Sequence, residues 1–537
     1  MKRKMAMLLA GTMLTALFGG GCMAQAEEGS EKIEFPLEEK AEINICVQAR
    51  TLHTTSFDEM PFVQMMEEMT NVHVNWTEYP ETSWDEKINL DFASGNLADA
   101  YMTCYGMDDS TFMNYVEDGS IIAIDEIIAR QAPHLTAKME QYPQVRAQAT
   151  ALDGHIYGLP RYENDGNDIP CCMYINQTWL DELGLSVPTT TDELTEVLRA
   201  FKEQDPNGNG QQDEIPLAGI GDFSKQDYSF FNMFGMFGVA TDMNLLLVEN
   251  DEVKFAGTQE GWKDACKYFR DLYAEGLLDN ETFTQGETQL TAKGSGEYER
   301  IGVLMGWNAT NYVGSNYADD YVAIPYPSAE GYEAKMYKSA ESGLSYNNFW
   351  VTSECENPDL VIAWLDFMNS SDEMTIQASF GMIADEENDY NLHYNDDGAL
   401  EYWTGSPEGM TFGEYRHKWA PATSAYVIHD VAEMAENNIF LGNPNNMAKA
   451  EECRKFDEYA VEQSMPNVKF TEEETSAITN MKSGIMDQVL QMSARWIAGE
   501  SDIDADWESY VSTLNGIGLE EYVSIYQTAY DRYQEVQ

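Results

Sequence analysis

Positive charge is what this sequence lacks most. It carries 31 Lys+Arg against 93 Asp+Glu, so the formal charge is 31 − 93 = −62. Such a chain repels phosphate backbones, which excludes nucleic acid as a partner. It also repels anionic headgroups, so membrane contact needs a covalent or hydrophobic anchor. Cysteine is sparse: Cys22, Cys46, Cys104, Cys171, Cys172, Cys266, Cys355 and Cys453 form no C-x-x-C pair, and apart from the adjacent Cys171-Cys172, unlikely to bridge to itself, they lie far apart. That argues for scattered buried thiols rather than a disulfide framework. Beyond the N-terminus no run approaches the ~18 apolar residues of a membrane span. G-x-S-x-G, H-E-x-x-H and Walker A patterns are missing, and the seven histidines have no metal-ligand spacing.

What is present is enough to fold. The 537 residues are 43% apolar and 12% aromatic, unlike disordered acidic chains, which are poor in aromatics. This length allows two to four domains. Lys2, Arg3 and Lys4 precede an apolar stretch ending at Phe18, too short to span a bilayer and therefore an export signal. Gly19-Gly20-Gly21-Cys22 resembles the lipobox of bacterial lipoproteins, with Gly19 where Leu is usual, which implies lipidation of Cys22 after removal of residues 1–21. Ala24-Gln25-Ala26 is a competing cleavage site that would give a secreted or periplasmic protein. Removal of 1–21 takes three positive charges, leaving 28 − 93 = −65. Residues 22–40 then read as an acidic tether.

The apolar periodicity sets out an α/β chain. Strands are expected over 42–47, 72–76 and 100–102, with helices over 60–69 and 84–92 between them, the βαβαβ order of a parallel sheet. A second such region starts near Cys171, with strands over 172–175, 301–305 and 321–327. Thr190-x-x-Glu193 is a capping box opening a helix with Leu194, Val197, Leu198 and Phe201 on one face. The last ~65 residues from Glu472 read as helical. Ligands of such sheets bind beyond the carboxyl ends of strands, and a cleft between two lobes is a favoured site.

Five segments, in order, resemble the bacterial extracellular solute-binding proteins of ABC importers, the large oligosaccharide-binding type. They are Ala93-Ser94-Gly95-Asn96-Leu97-Ala98-Asp99, the stretch from Asp153 to Pro160 (DGHIYGLP), the stretch from Trp179 to Leu185 with Pro188-Thr189-Thr190, the stretch from Asp205 to Pro216, and the closing Trp496-Ile497-Ala498-Gly499-Glu500 with Trp507. Ala98 stands where the family usually has Pro. The resemblance implies a two-lobe periplasmic-binding-protein-like fold (type II) with hinge strands and a helical C-terminal region. It places lobe 1 at 41–160 and 325–375, lobe 2 at 161–324 and 376–537, and hinge crossings near 159–162 and 324–327.

The loop 205–214 carries a signal of its own. Asp205, Asn207, Asn209 and Asp213 occupy positions one, three, five and nine of an EF-hand-type loop, with Gly210 at six for the sharp turn. Gln211 offers its backbone carbonyl. Pro216 stands where the bidentate Glu belongs, and the resemblance to alginate-binding relatives implies that Glu214 replaces it. The expectation is a structural Ca²⁺; the alternative is a plain Asn/Gly turn.

Sugars present apolar C–H faces to aromatic rings and hydroxyl rims to polar side chains. Trp307 with Asn308, just past a strand's carboxyl end, is the leading candidate, and the family often stacks a Trp there. Tyr105, Trp350, Trp403, Trp419, Arg50 and Arg161 are further candidates. Trp179, Trp262, Trp364, Trp496 and Trp507 lie at helical spacing and are expected in the core. The implied function is capture of a carbohydrate by a monomeric, non-enzymatic binding protein and its delivery to ABC permease subunits, from the outer face of the cell membrane through Cys22. A secreted glycoside hydrolase is the alternative, and a non-transport surface receptor of the same fold is a third reading. The −65 charge makes uronate ligands less attractive.

Overall fold

The computed structural model describes residues 32–223, 228–385, 388–402 and 412–536. The export signal, Cys22 and Trp403 lie outside the described residues. The chain first lays down strands β1 (Ala41–Ala49), β2 (Val72–Pro80) and β3 (Ala100–Met102), then β4 (Gly158–Leu159). β5 (Tyr162–Asn164) leads out of this region. β6 (Cys172–Asn176), β7 (Ile215–Leu217), the hairpin β8 (Leu246–Glu249) and β9 (Glu252–Phe255), β10 (Ile301–Gly306) and β11 (Tyr321–Ile324) build the second region. The chain returns through β12 (Phe349–Val351), the hairpin β13 (Leu392–Tyr394) and β14 (Leu400–Tyr402), and β15 (Ile428–Asp430).

The first region forms a five-stranded sheet ordered β2-β1-β3-β12-β4. β1 runs parallel to β2 and β3, as the βαβαβ pattern expects, with helices Pro61–Thr70 and Trp84–Ser94 as crossovers. β12 is antiparallel to both β3 and β4. The second region is a four-stranded sheet ordered β11-β6-β10-β7. It is mixed rather than parallel: β6 is antiparallel to β10 and to β11, and only β7 and β10 run together. The cause is connectivity. β6 carries the chain away from the crossing and β11 brings it back.

The cores divide differently from the expected boundaries. Tyr326, Ala329, Ala334 and Met336 pack in the second core, so 325–336 belongs to lobe 2. Ala378, Met382, Ala420, Ala425, Tyr426, Val427 and Ile428 pack in the first, so much of 376–430 belongs to lobe 1. The chain therefore changes core between Tyr162 and Ile169, between Met336 and Leu344, and again before Cys453. Three passages join the lobes instead of two. They meet where β5 pairs in parallel with β15, Tyr162 bridges Leu344, and the Glu163 N–H donates to the Gly343 carbonyl.

Helices Glu472–Ile497, Ile503–Ile517 and Leu519–Val536 close the second lobe. The first begins with a capping box, Thr471 to the Glu474 N–H and the Glu474 side chain back to the Thr471 N–H, satisfying two amides that a helix start leaves open. Its Ile478, Met481, Ile485, Val489 and Trp496 recur on one face and are buried in the second core. Trp262 donates to Ser493 across this interface at 3.1 Å. Trp179, Trp262, Trp364 and Trp496 are all buried, and Trp507 packs at the edge of the second core. The capping box at Thr190–Glu193 forms as its spacing predicts. No helix among the described residues is long and apolar enough to cross a membrane.

Candidate functional site

Register alone places the first rim of the cleft. Val47 pairs with Met102, Met102 with Phe349, and Phe349 with Leu159. The carboxyl ends of β1, β3 and β4 and the start of β12 thus share one edge, and β4 leads from it directly into the crossing. Arg50, Tyr105 and Arg161 all follow strands that end there. Arg50 lies over the Tyr105 ring, its guanidinium carbon 5.2 Å from the centroid. Its Nε donates to Glu81 Oε2 at 3.4 Å. Glu81, one residue past β2, also accepts the Thr51 N–H (2.8 Å), the Thr51 hydroxyl (2.9 Å) and the Tyr105 hydroxyl (3.4 Å). Burial works to raise the Glu81 carboxyl, but the Thr51 donors and Arg50 outweigh it and hold it low. The carboxylate therefore stays charged and fixes the Arg50–Tyr105 pair. Tyr105 is 57% exposed, so one ring face remains free for a ligand.

Next to this rim lies a recess of ≈ 350 Å³ lined by Arg50, Thr51, His53, Thr54, Thr55 and Ser56. His53 Nδ1 lies 2.9 Å from the Arg50 N and 3.3 Å from the Arg50 carbonyl, and Nε2 lies 3.2 Å from the Pro421 carbonyl. Burial lowers the His53 pKa. His417 packs edge-on against it at 4.6 Å, and burial followed by Arg416 lowers the His417 pKa to about 2. The recess is thus rich in hydroxyls, with Glu78 in its wall accepting the Ser56 hydroxyl and the Arg50–Glu81 pair beside it.

The second rim comes from β10. Gly306 pairs with Cys172, the residue where β6 enters from the crossing, so Trp307 stands on the edge of lobe 2 nearest lobe 1. Trp307 is half-buried. Its carbonyl accepts the Tyr174 hydroxyl at 2.9 Å, and Lys449 lies 5.7 Å from its ring centroid. Asn308 accepts the Asn311 N–H at 3.1 Å, which ties its side chain to the start of helix Thr310–Val313. An ion pair links the lobes beyond the sheets: Lys469 Nζ lies 2.9 Å from Asp109 Oδ1.

Three expected ligand residues stand elsewhere. Trp350 is a correction: it is fully buried inside β12, stacked on Tyr101 at 5.5 Å and edge-on to Phe112 at 5.7 Å. β12 is covered on both faces: Phe349 and Val351 pack in the first core, and Trp350 packs on the opposite face in a separate aromatic cluster. Arg161 is committed to the hinge. Its Nη2 donates to Glu163 at 2.6 Å and its Nε to the Ala425 carbonyl at 3.1 Å. Trp419 packs on Tyr390 and Tyr415 at the margin of the first core, and its carbonyl accepts the Phe62 N–H.

Sequence reasoning missed Glu81, Tyr174 and Lys449. Glu81 carried a usable signal, because it follows a strand's carboxyl end just as Arg50 does. Lys449 carried none: it reaches Trp307 from helix Pro444–Arg454, far along the chain.

The loop 205–214 folds into a tight turn with Asp205 (φ 47°), Gly208 and Gly210 in the left-handed region. Asp205 Oδ2 accepts the Gly210 N–H, Asn207 Oδ1 the Asn209 N–H, and Asn209 Oδ1 the Gln211 N–H. Asp213 accepts from Asn209 Nδ2 at 2.9 Å and pairs with Arg300 at 3.2 Å. Gln211 is exposed. Among the described residues no three His, Cys, Asp or Glu side chains converge as a metal set. Yet Asp205 Oδ1 and both carboxyl oxygens of Glu214 are buried with no hydrogen-bond partner. Burial first, then Asp205 and Asp213, push the Glu214 carboxyl up. Three orphaned carboxylate oxygens in one turn fit the hard, oxygen-lined environment of a divalent cation.

The family model for bacterial extracellular solute-binding proteins matches residues 54–375. A fructooligosaccharide ABC transporter substrate-binding protein, FusA of Streptococcus pneumoniae, is 30% identical over 518 residues, 94% of this chain and 93% of the relative. Its structure in complex with kestose superposes with a TM-score of 0.79 at 27% identity, covering 92% of this chain and all of that one. An EF-hand mutant of FusA with fructo-nystose superposes equally well. A human-milk-oligosaccharide (HMO) binding solute-binding protein from Bifidobacterium longum infantis gives a TM-score of 0.79 at 25% identity, with 92% and 99% covered. With a shared motif order, fold and near full-length similarity, this chain belongs to the bacterial extracellular solute-binding protein family.

Proposed function

We propose that this protein captures an oligosaccharide between its lobes and delivers it to the permease of an ABC importer, without chemical change to the sugar. The observation that carries the reading is the pairing of two unlike rims across one crossing. Arg50, Glu81 and Tyr105 offer fixed polar atoms and a ring on one side, and Trp307 offers a flat apolar face on the other. Sugar that touches both rims favours the closed form by its differential affinity, and the three passages through the hinge absorb the motion. The similarity to FusA favours neutral fructose-containing oligosaccharides as the first ligands to test.

The loop 205–214 binds a structural Ca²⁺ in this reading, held by Asp205, Asn207, Asn209, the Gln211 carbonyl, Asp213 and Glu214. Cys22 carries the lipid that keeps this acidic protein, a monomer, on the outer face of the cell membrane.

The test is calorimetry and thermal shift across neutral oligosaccharides, with product analysis of each mixture. Intact sugar with a raised Tm supports capture; cleaved sugar overturns it in favour of a hydrolase. Trp307→Ala costs about 2 kcal/mol of affinity, roughly thirtyfold in Kd. An unchanged Kd removes Trp307 from the site.

A further inference from the structure

Beneath Trp307, Lys449 and Tyr174 adjoin two buried thiols that touch no part of the proposed sugar site. Cys172 opens β6 and is fully buried; Lys449 and Cys453, four residues apart on one face of helix Pro444–Arg454, are each 3% exposed. Lys449 Nζ lies 2.8 Å from Cys172 Sγ and 3.4 Å from the Tyr174 hydroxyl. Cys172 and Cys453 sit close enough to shift each other's titration, Cys172 upward and Cys453 downward. Cys453 also contacts the Ile169 carbonyl at 3.5 Å. Among the described residues no carboxylate lies within ion-pair distance of Lys449. Glu452 reaches it only through the Tyr174 hydroxyl. A buried ammonium needs an anion, and the groups in position to supply one are the two thiols.

We propose that Cys172 and Cys453 are a peroxide-sensitive dithiol that closes into a reversible disulfide between β6 and helix Pro444–Arg454. The contrast with the other thiols supports this. Burial pushes Cys46, Cys104, Cys266 and Cys355 up, the second and last of these to about 12. Cys453 is held down to about 7 by the Cys172 thiol and then by Lys449. The nucleophile in sulfur oxidation is the thiolate.

The Cys453 thiolate attacks one oxygen of hydrogen peroxide. The S–O bond forms, the O–O bond breaks, and the leaving hydroxide takes a proton from the Lys449 ammonium to become water. The Cys172 sulfur then attacks the Cys453 sulfenic acid. The S–S bond forms, the S–O bond breaks, and the second hydroxide leaves with the Cys172 proton. Two thiols lose two electrons, peroxide gains them, and two waters result. Lys449 ends neutral, which suits a buried amine that has lost its anion. The bond fixes the third interlobe passage to the strand under Trp307 and links positions 281 apart (453 − 172).

The test treats the purified full chain with hydrogen peroxide, blocks remaining thiols in denaturant, and maps peptides by mass spectrometry without reduction. The expected result is a Cys172–Cys453 cross-link, released by dithiothreitol, with a raised Tm in the oxidised protein. Cys172→Ala leaves a Cys453 sulfenic acid that dimedone traps. Lys449→Met slows cross-linking at least tenfold, whereas Lys449→Arg retains most of the rate. Full alkylation of both thiols after peroxide overturns the proposal. So does cross-linking of a different pair, or a Lys449→Met rate equal to the parent's.

Discussion

Glu163 and Glu214 are both glutamates withdrawn from water, and the molecule treats them in opposite ways. At the hinge Glu163 faces Arg161 at 2.6 Å, His429 at 3.2 Å and Arg416 at 3.9 Å. Burial opposes its charge, but Arg161, then His429 and Arg416, hold its carboxyl well below the usual range. In the loop, Glu214 has two buried oxygens and no donor, and its carboxyl is pushed up. A buried charge persists only with compensation. The hinge supplies that compensation from lobe 1, with Arg161 at the start of the first passage and Arg416 and His429 on the segment leading into the third. The loop supplies none, a deficit that the proposed Ca²⁺ would fill. One site is closed electrostatically by folding; the other is left open by it.

The largest effect comes from breaking the hinge. Glu163→Ala leaves Arg161 and Arg416 without their anion and costs about 3–5 kcal/mol, read as a fall in the denaturation midpoint. A midpoint within error of the parent would show that the cluster is already solvated. The pH dependence follows from two lowered values. Glu163 stabilises fully above its unfolded pKa, and that contribution fades as pH falls below it. Burial lowers the His429 pKa, so its contribution also fades as pH drops through the unfolded value of ~6.5. Both losses lie on the acid side, and a Tm series from neutral pH downward shows Glu163→Gln losing less than the parent.

The middle effect comes from filling the loop. Calcium at a hundredfold excess over Kd adds about 2.7 kcal/mol to the chelator-treated protein. Glu214→Gln reduces this gain and leaves the hinge pH dependence in place. Calorimetry without calcium uptake would falsify the cation assignment. The smallest effect comes from the loop's own ion pair. Arg300 and Asp213 are partly exposed, so Arg300→Ala changes stability by only ~0–1 kcal/mol. A larger loss would mean that Asp213 relies on Arg300 rather than on a bound cation.

Local features were legible in the sequence. The βαβαβ start, the Thr190–Glu193 cap, the C-terminal helices and the turn at 205–214 each follow from residues within a few positions of one another. The position of Trp307 just past the carboxyl end of β10 was legible because it depends only on where that strand ends. Trp350 was not, since β12 is covered on both faces by residues distant in sequence, so no strand register turns its ring to solvent.

The sequence by itself determined the α/β order, the motif series and the oxygen-rich loop, because hydrophobic period and turn chemistry act over short separations. Only the tertiary structure decided that 376–430 returns to the first lobe, that three passages cross the hinge, that Glu163 gathers Arg161, Arg416 and His429, and that Lys449 lies under Trp307. Those partners are up to hundreds of residues apart. Which distant groups share a low-dielectric site is set by how the sheets and helices pack, and no local pattern encodes it.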